Sequence, residues 1–217
     1  MPGLIGHLRS LDRKERFAVL RDALGFHPES PRLDDDFRKR LGECIRVDVP
    51  AWTFLAIDYH LDWIQIAFLL DTNPDLKHGD PFLKPERGDI NKDQEDIDLL
   101  IAFEGKEGSQ AVTHLVLIEA KAYLPWSNEQ LRSKARRLKE IFGADGGRHD
   151  AVKPHFVMMT ERLSGKIDPC SWPDWMKICG DIPWLQYSLP SRTKVTRCTD
   201  SGTNCKNGTH LRLDLVP

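Results

Sequence analysis

The chain has 217 residues, of which 40% are hydrophobic and 29% are charged, and its formal net charge is −2. This length and composition predict an ordinary globular protein with one sizeable core, and they exclude a uniformly basic surface, so a nucleic-acid partner would need a local basic patch. The N-terminus has no sustained apolar segment like that of a signal peptide, and the five cysteines form no compact framework, which together predict a cytoplasmic protein.

The N-terminal part of the chain predicts two helices within residues 12–46. Asp12 and a glutamate three residues later form a capping box, and apolar residues follow at helical spacing until Gly25 ends the helix. A second helix is expected from the aspartates at 34–36 to about Ile45, because acidic side chains stabilise the positive end of a helix dipole.

Residues 51–70 are the most apolar helical candidate in the chain, with apolar side chains every three or four residues. The alternation around Tyr59 would also satisfy a strand. As a helix, the segment would place Asp58 and Asp62 four residues apart on one face, either near a site or on the polar side of a core helix. These charged residues interrupt the segment, so it predicts no transmembrane helix.

Residues 71–95 are polar and contain three prolines and two glycines. The segment is too long for a simple connection in a compact domain. It predicts a flap near a substrate, an insertion with a short strand around Phe82 and Leu83, or a plain surface loop.

Two apolar runs of strand length follow, and acidic side chains stand at one end of each. Ile97–Phe103 begins beside two aspartates, and Leu115–Ile118 ends at a glutamate. The spacer at 104–110 is rich in glycine and charge, which predicts a hairpin with antiparallel strands. Antiparallel pairing would bring Asp98 and Glu119 together at one end of the hairpin.

The side chains at that end suit metal-assisted chemistry. Two carboxylates that converge at a strand end can hold a hard cation such as Mg²⁺, with a backbone carbonyl and waters as further ligands. Because side chains alternate along a strand, Lys121 lies on the same face as Glu119, roughly 7 Å away. A lysine there can orient an attacking water or balance charge on a phosphate. Asp96 competes with Asp98 for the ligand role, and Asp98 is preferred because it abuts the apolar run.

A helix and a strand are predicted after Lys121. Ser127 caps the helix, Gln130 completes a capping box and Gly143 ends it. The strand at 155–159 then completes a β-α-β unit, in which His155 is expected to pack rather than to catalyse. The basic residues of the helix, which either contact a phosphate backbone or face solvent, are Arg132, Lys134, Arg136, Arg137 and Lys139.

The last part of the chain, residues 165–217, predicts a tryptophan-rich extension of the same single domain, which spans 1–217. Short strands are expected there at 184–189, 194–198 and 211–216. Cys198, Cys205 and His210 invite a zinc site, but their spacing matches no paired Cys-x-x-Cys module.

Asp98, followed by Glu119-Ala120-Lys121 at the end of an apolar strand and then by a helix, resembles the PD-(D/E)XK nuclease superfamily, also called restriction-endonuclease-like. The resemblance covers about residues 96–142. It implies an α/β fold with a central mixed β-sheet flanked by helices and a core at about 51–160, including a strand before Asp98 and a β-α-β unit. It also implies that Asp98, Glu119 and the Ala120 carbonyl bind Mg²⁺, with Mn²⁺ as a substitute, and that Lys121 positions the attacking water. Gln130 matches a polar residue on this helix in some branches of the family, although capping explains it equally well.

The resemblance implies metal-dependent hydrolysis of phosphodiester bonds in nucleic acid, with DNA favoured over RNA and no membrane partner. The oligomeric state stays open, and a homodimer is compatible with the sequence. Two other hypotheses remain: a catalytically silent protein of the same fold that binds nucleic acid or protein, and a metal hydrolase with another substrate. Convergence of Asp98, Glu119 and Lys121 beside an open basic groove would favour the nuclease.

Overall fold

The computed structural model of the chain describes residues 3–12, 32–73, 75, 95–121, 126–186 and 192–216. The chain divides into two compact units, residues 1–186 and residues 187–217. The first contains a five-stranded sheet with helices, and the second contains a two-stranded sheet. The α/β class with a central mixed sheet is therefore confirmed.

The helices are α1 (Leu4–Leu11), α2 (Asp35–Ile45), α3 (Leu61–Thr72) and α4 (Asn128–Phe142). The strands of the first unit are β1 (Phe54–His60), β2 (Asp96–Glu107), β3 (Gln110–Lys121), β4 (Val152–Thr160) and β5 (Trp184–Gln186). The second unit holds β6 (Arg192–Cys198) and β7 (His210–Val216), which pair antiparallel. None of the helices described is long and apolar enough to cross a membrane.

The first sheet has the strand order β1-β2-β3-β4-β5. Its first three strands are antiparallel neighbours, whereas β4 and β5 are added in parallel. The helix α4 connects β3 to β4, as a parallel crossover requires. The predicted β-α-β unit and the predicted strands in the last part of the chain are confirmed.

The hairpin at the centre of the sheet is the one predicted. Glu107 pairs with Gln110, so the loop between β2 and β3 has only two residues. Gly108 opens this loop with φ +59°, a conformation that glycine adopts at little cost. The loop is shorter than the predicted spacer because both strands extend past their apolar runs.

Helices cover both faces of the sheet. Leu115 and Leu117 point to the face that packs against α1, α3 and α4, whereas Val116 and Ile118 point to the face that packs against α2. Because β3 is buried on both faces, its sequence is a continuous apolar run rather than an alternating one. The core therefore consists of two layers of side chains, one on each side of β3.

The prediction of one helix over residues 51–70 is wrong. The segment forms β1 and then α3, with the change at His60 and Leu61. Asp58 therefore lies in a strand and Asp62 in the first helical turn, so the two do not share a helical face. Apolar spacing in a short segment fits both periods, and pairing of β1 with β2, which is distant in sequence, decides between them.

The predicted serine cap of α4 is confirmed, and α2 begins with an aspartate cap where acids at the positive end of the helix are expected. The Asp34 side chain accepts a hydrogen bond from Phe37 N at 3.0 Å at the start of α2. Ser127 Oγ accepts one from Gln130 N at 3.1 Å at the start of α4, and Gly143 ends that helix. Each bond satisfies an amide that the helix itself leaves unpaired.

The N-terminal helix α1 was not predicted. It buries Leu4 and Leu8, and Tyr59 Oη donates a hydrogen bond to Leu8 O at 2.9 Å, which fixes α1 against β1. The helix predicted after Asp12 falls on residues 13–31, outside the described residues. The segment 76–94, with its predicted flap or loop, also lies outside them.

Candidate metal centre

The candidate site lies where β2 and β3 separate. The last pair of residues between these strands is Leu99 and Ile118, so Asp98 and Glu119 are the first residues beyond it. The neighbouring strands pair further. The pairing of β1 with β2 extends to Asp96, and the pairing of β3 with β4 extends to Lys121. A gap therefore opens between β2 and β3, and the two predicted metal ligands border it.

Asp98 bridges this gap through its side chain. Its Oδ2 accepts a hydrogen bond from the main-chain N–H of Ala120 at 2.6 Å. The carboxylate thus takes the place of the main-chain acceptor that the ladder no longer supplies, and a charged acceptor makes a short, strong bond. This contact fixes Asp98 next to the Glu-x-Lys segment of β3.

Glu119 is the acidic side chain most removed from solvent in this region, with 8% of its surface exposed. Burial raises the pKa of its carboxyl, and the charge of Asp98 acts in the same direction, whereas Lys134 and Lys121 lower it. Each of these charges is close enough to act on Glu119. Asp98, Glu119 and Lys121 therefore form one electrostatic cluster.

Lys134 of α4 is a further member of this cluster that the sequence reasoning did not assign to the site. Its Nζ forms an ion pair with Glu119 Oε2 and donates a hydrogen bond to the main-chain oxygen of Asp96 at 2.7 Å. The sequence carried a signal for this position. Lys134 follows Leu131 by three residues and precedes Leu138 by four, which places it on the buried face of the helix.

Asp96 has a different environment from Asp98. Its Oδ1 contacts Nδ1 of His60, which is the residue opposite it on β1. The His60 ring packs edge-on against Trp63, with 4.3 Å between ring centroids. The carboxylate of Asp96 is therefore directed to β1, whereas that of Asp98 contacts β3.

Asp58 lies next to the site in a strained conformation. Asp58 and Asp98 occupy the positions between the pairs Ile57–Leu99 and Tyr59–Ile97 of β1 and β2. The φ of Asp58 is +51°, which costs a residue with a side chain about 1–2 kcal/mol. Ala56 and Tyr59 belong to the same core cluster although they are three residues apart, so the alternation of side chains is interrupted here. Strict alternation along β1 thus fails at Asp58.

Two of the weaker candidates are placed elsewhere. Asp62 forms an ion pair with Arg137 between α3 and α4. The Gln130 side chain is exposed in the first turn of α4, and its main-chain N–H bonds the capping serine. The structure thus gives Asp62 a helix-packing contact and Gln130 a place in the helix cap.

Glu95, directly before β2, was not predicted. Its Oε1 accepts a hydrogen bond from Ser133 Oγ at 2.5 Å. Its Oε2 is buried and has no hydrogen-bond partner among the residues described. This carboxylate lies one residue from Asp96 and contacts the neighbour of Lys134, so it adds negative charge behind the site.

The basic residues of α4 divide into two groups. Lys134 and Arg137 are partly buried and paired with acids of the same chain. The exposed ones follow each other at intervals of four and three residues, and each comes directly after a buried residue, so they lie along one side of the apolar stripe. We call this set the basic stripe; it consists of Arg132, Arg136 and Lys139. Only Arg132 of these has an ion pair among the described residues, with Asp168 at 3.2 Å.

A pocket of about 580 Å³ lies along α2 and not at the candidate site. It is lined by side chains such as Arg38, Glu43 and Arg46, and it contains none of Asp98, Glu119 and Lys121. Its lining mixes acidic with basic residues, so it is not the open basic groove that the nuclease hypothesis expects.

The donor set at the gap fits Mg²⁺ in its chemistry. Mg²⁺ in proteins is commonly held by one or two carboxylates, with waters completing its octahedron. Asp98 and Glu119 supply two carboxylates, and Ala120 supplies a carbonyl. Within the described part of the chain, no group of three or more His, Cys, Asp and Glu side chains could hold a metal ion. Cys198, Cys205 and His210, which lie within the described residues, belong to no such group.

Comparison with known proteins adds no family to this geometry. No family model matches the chain, and neither a curated protein nor a solved structure matches it.

Proposed function

We propose that the chain is a metal-dependent nuclease with a restriction-endonuclease-like core, which hydrolyses phosphodiester bonds of nucleic acid, with DNA favoured over RNA. The observation that carries the proposal is the meeting of Asp98 and Glu119 where β2 and β3 separate, with Lys121 in the same electrostatic cluster. A buried carboxylate such as that of Glu119 is costly beside a second negative charge unless a cation balances it.

The topology gives separate support. A strand precedes Asp98, and a helix followed by a parallel strand comes after Lys121, as the resemblance to PD-(D/E)XK nucleases implies. The site stands at one end of the two central strands, which the outer strands hold in place. Such rigid elements position side chains more accurately than loops do.

The side chains have distinct roles in this proposal. Asp98, Glu119 and the Ala120 carbonyl would hold Mg²⁺, which supplies Lewis-acid polarisation of the phosphate. The Lys121 ammonium donates a hydrogen bond to the attacking water and orients it towards phosphorus. The new P–O bond forms as the bond to the leaving oxygen breaks in line, and the same ammonium offsets the charge that develops on the phosphate. The proton lost by the water passes to solvent, and the leaving oxygen takes one from solvent.

The basic stripe of α4 supports a polyanionic substrate. The helix α4, which carries these exposed cations, is the next element after β3 in the chain. The cations can pair with phosphates of a nucleic-acid backbone. Contacts to the backbone carry no sequence information, so the stripe favours binding without base preference.

One observation favours the alternative, a silent binding protein of the same fold. Lys134 already neutralises Glu119, and the Ala120 amide already satisfies an oxygen of Asp98. A site whose acids are paired within the chain can persist without a metal.

Cleavage assays test the proposal against this alternative. We expect single-stranded DNA, double-stranded DNA or RNA to be cut in Mg²⁺ or Mn²⁺ but not in EDTA, and cutting to fall at least about 100-fold in Asp98→Asn and Lys121→Met. Glu104→Gln, at the far end of β2, is the matched control and retains the wild-type rate. Absence of metal-dependent cutting by folded wild-type protein on all three substrates would favour the silent protein.

A further test concerns the choice between the two aspartates of β2. Asp98→Asn should abolish Mn²⁺ binding measured by calorimetry, because this carboxylate is the one directed to β3. Asp96→Asn should still bind Mn²⁺, because its carboxylate contacts His60 instead. Equal losses in both variants would contradict this assignment.

A further inference from the structure

The ammonium of Lys134 lies across the gap between the two central strands. It reaches β2 through the main-chain oxygen of Asp96, at 2.7 Å, and β3 through the carboxylate of Glu119. The side chains of Lys134 and Glu119 are only 13% and 11% exposed, so this is a largely buried ion pair. Lys134 thus contacts the same carboxylate that would bind the metal.

Lys134 and a metal ion would compete for the same carboxylate. The Lys134 ammonium already contacts Oε2 of Glu119, so a divalent cation on this carboxylate would lie beside a second positive charge where little solvent screens the repulsion. The lysine must therefore move away from Glu119 before the cation binds well.

We infer that Lys134 is a built-in competitor of the metal, and that metal binding displaces its ammonium from Glu119 Oε2. The inference depends on the proposed metal-dependent function. Lys134 is the lysine that moves, because it is the one in direct contact with a ligand oxygen and because it comes from a separate element, α4.

The competition couples the metal to the substrate. A lysine displaced from Glu119 needs another anionic partner, and a phosphate of the bound nucleic acid supplies one. Metal and nucleic acid therefore strengthen each other's binding, as thermodynamic linkage requires of any such coupling. The protein alone holds the metal weakly, which keeps the site inactive until nucleic acid is bound.

Binding of Mn²⁺ in the absence of nucleic acid tests the inference. Titration calorimetry would compare the wild type with Lys134→Met, which keeps the length of the side chain, and Lys134→Gln, which keeps a donor for the Asp96 oxygen. We expect both variants to bind Mn²⁺ at least about tenfold more tightly. In the wild type, Mn²⁺ must break the ion pair between Lys134 and Glu119, and the variants have no such pair to break. Lys106→Met, an exposed lysine at the far end of β2, has the same charge change and should bind as the wild type does. Circular dichroism establishes that each variant is folded.

The outcomes separate this inference from the proposed function. Mn²⁺ binding by both Lys134 variants that is equal to or weaker than that of the wild type overturns the competition. If only Asp98→Asn then loses Mn²⁺ binding, the proposed metal site is still supported. If neither the wild type nor any Lys134 variant binds Mn²⁺, both proposals are wrong. Binding that appears only in the Lys134 variants supports the competition in its strongest form.

A second measurement uses the wild-type protein and does not depend on the folding of a variant at Lys134. Acetylation of lysines followed by peptide mass spectrometry reports how accessible each ammonium is. We expect labelling of Lys134 to rise several-fold when Mn²⁺ is added and to stay constant in Asp98→Asn. Unchanged labelling at a Mn²⁺ concentration that saturates the wild type would overturn the displacement.

Discussion

Acidic solution should destabilise the first unit through a pair of histidines far from the candidate site. His114 on β3 and His155 on β4 share a hydrogen bond of 3.0 Å between Nδ1 and Nε2, and the His114 ring stacks on Phe103. Burial lowers the pKa of His155 from its ordinary value of 6.5 to about 4, and the neighbouring His114 acts in the same direction. The native pair is therefore neutral at pH 7, with one ring donating to the other.

The sign and size of the effect follow from the pKa of His155. The unfolded chain takes up the proton near pH 6.5, whereas the folded chain resists it until about pH 4. The stability associated with a neutral His155 is thus complete above pH 6.5 and is lost as the pH falls towards 4. One pKa unit corresponds to about 1.4 kcal/mol, so the loss is about 2 kcal/mol at pH 5 and about 3 kcal/mol at pH 4.

Urea denaturation between pH 7 and pH 4 measures this loss. The free energy of unfolding of the wild type should fall with pH more steeply than that of His155→Gln, whose amide can still bond His114 but does not titrate. Titration of the carboxylates affects both proteins alike, so it cancels in the difference between their free energies of unfolding. If the two curves run parallel over this range, the burial argument for His155 is refuted.

The remaining predictions concern single side chains in the same unit. Lys134→Met should lower the free energy of unfolding by about 3 kcal/mol, because it leaves Glu119 buried without its partner, and Glu119→Gln in the same protein should restore most of it. Gly105→Ala should cost about 1–3 kcal/mol, because its Cβ would lie 2.6 Å from a ring nitrogen of His114, whereas Gly165→Ala, which faces open space, should cost far less. Both pairs are measured by urea denaturation at pH 7.

These predictions can fail in distinct ways. A Lys134→Met protein as stable as the wild type would mean that Glu119 is better solvated than its burial indicates. Equal effects of alanine at Gly105 and Gly165 would show that the His114 ring can move aside freely.

The centre of the fold could be predicted because its determinants are local in sequence. The apolar runs of β2 and β3 and the glycine between them define a hairpin, and caps such as Asp34 and Ser127 define helix starts. The helix α4 then forces β4 to be parallel. Each of these features depends on a turn, a cap or a connection between successive elements, where propensity and turn chemistry are informative.

The rest depended on contacts between distant segments. Residues 51–70 formed a strand and a helix because β2 offered an edge to pair with, which no local pattern reveals. The positive φ of Asp58 is equally invisible in sequence, since only a minority of aspartates adopt it and no local pattern marks which ones. The role of Lys134 was accessible in part: helical spacing put it on the buried face, but only the packing of α4 shows which carboxylate it meets.

The hydrogen bond from Ala120 N to Asp98 Oδ2 makes one amide a natural spectroscopic reporter. Main-chain pairing with β2 has already ended at Ile118, so a side chain alone shields the Ala120 amide from exchange with deuterium. In nuclear magnetic resonance spectra this proton should be shifted downfield and exchange slowly, and Asp98→Asn should weaken both effects. The same resonance would report any change at Asp98 during a titration with metal or nucleic acid, without an added probe.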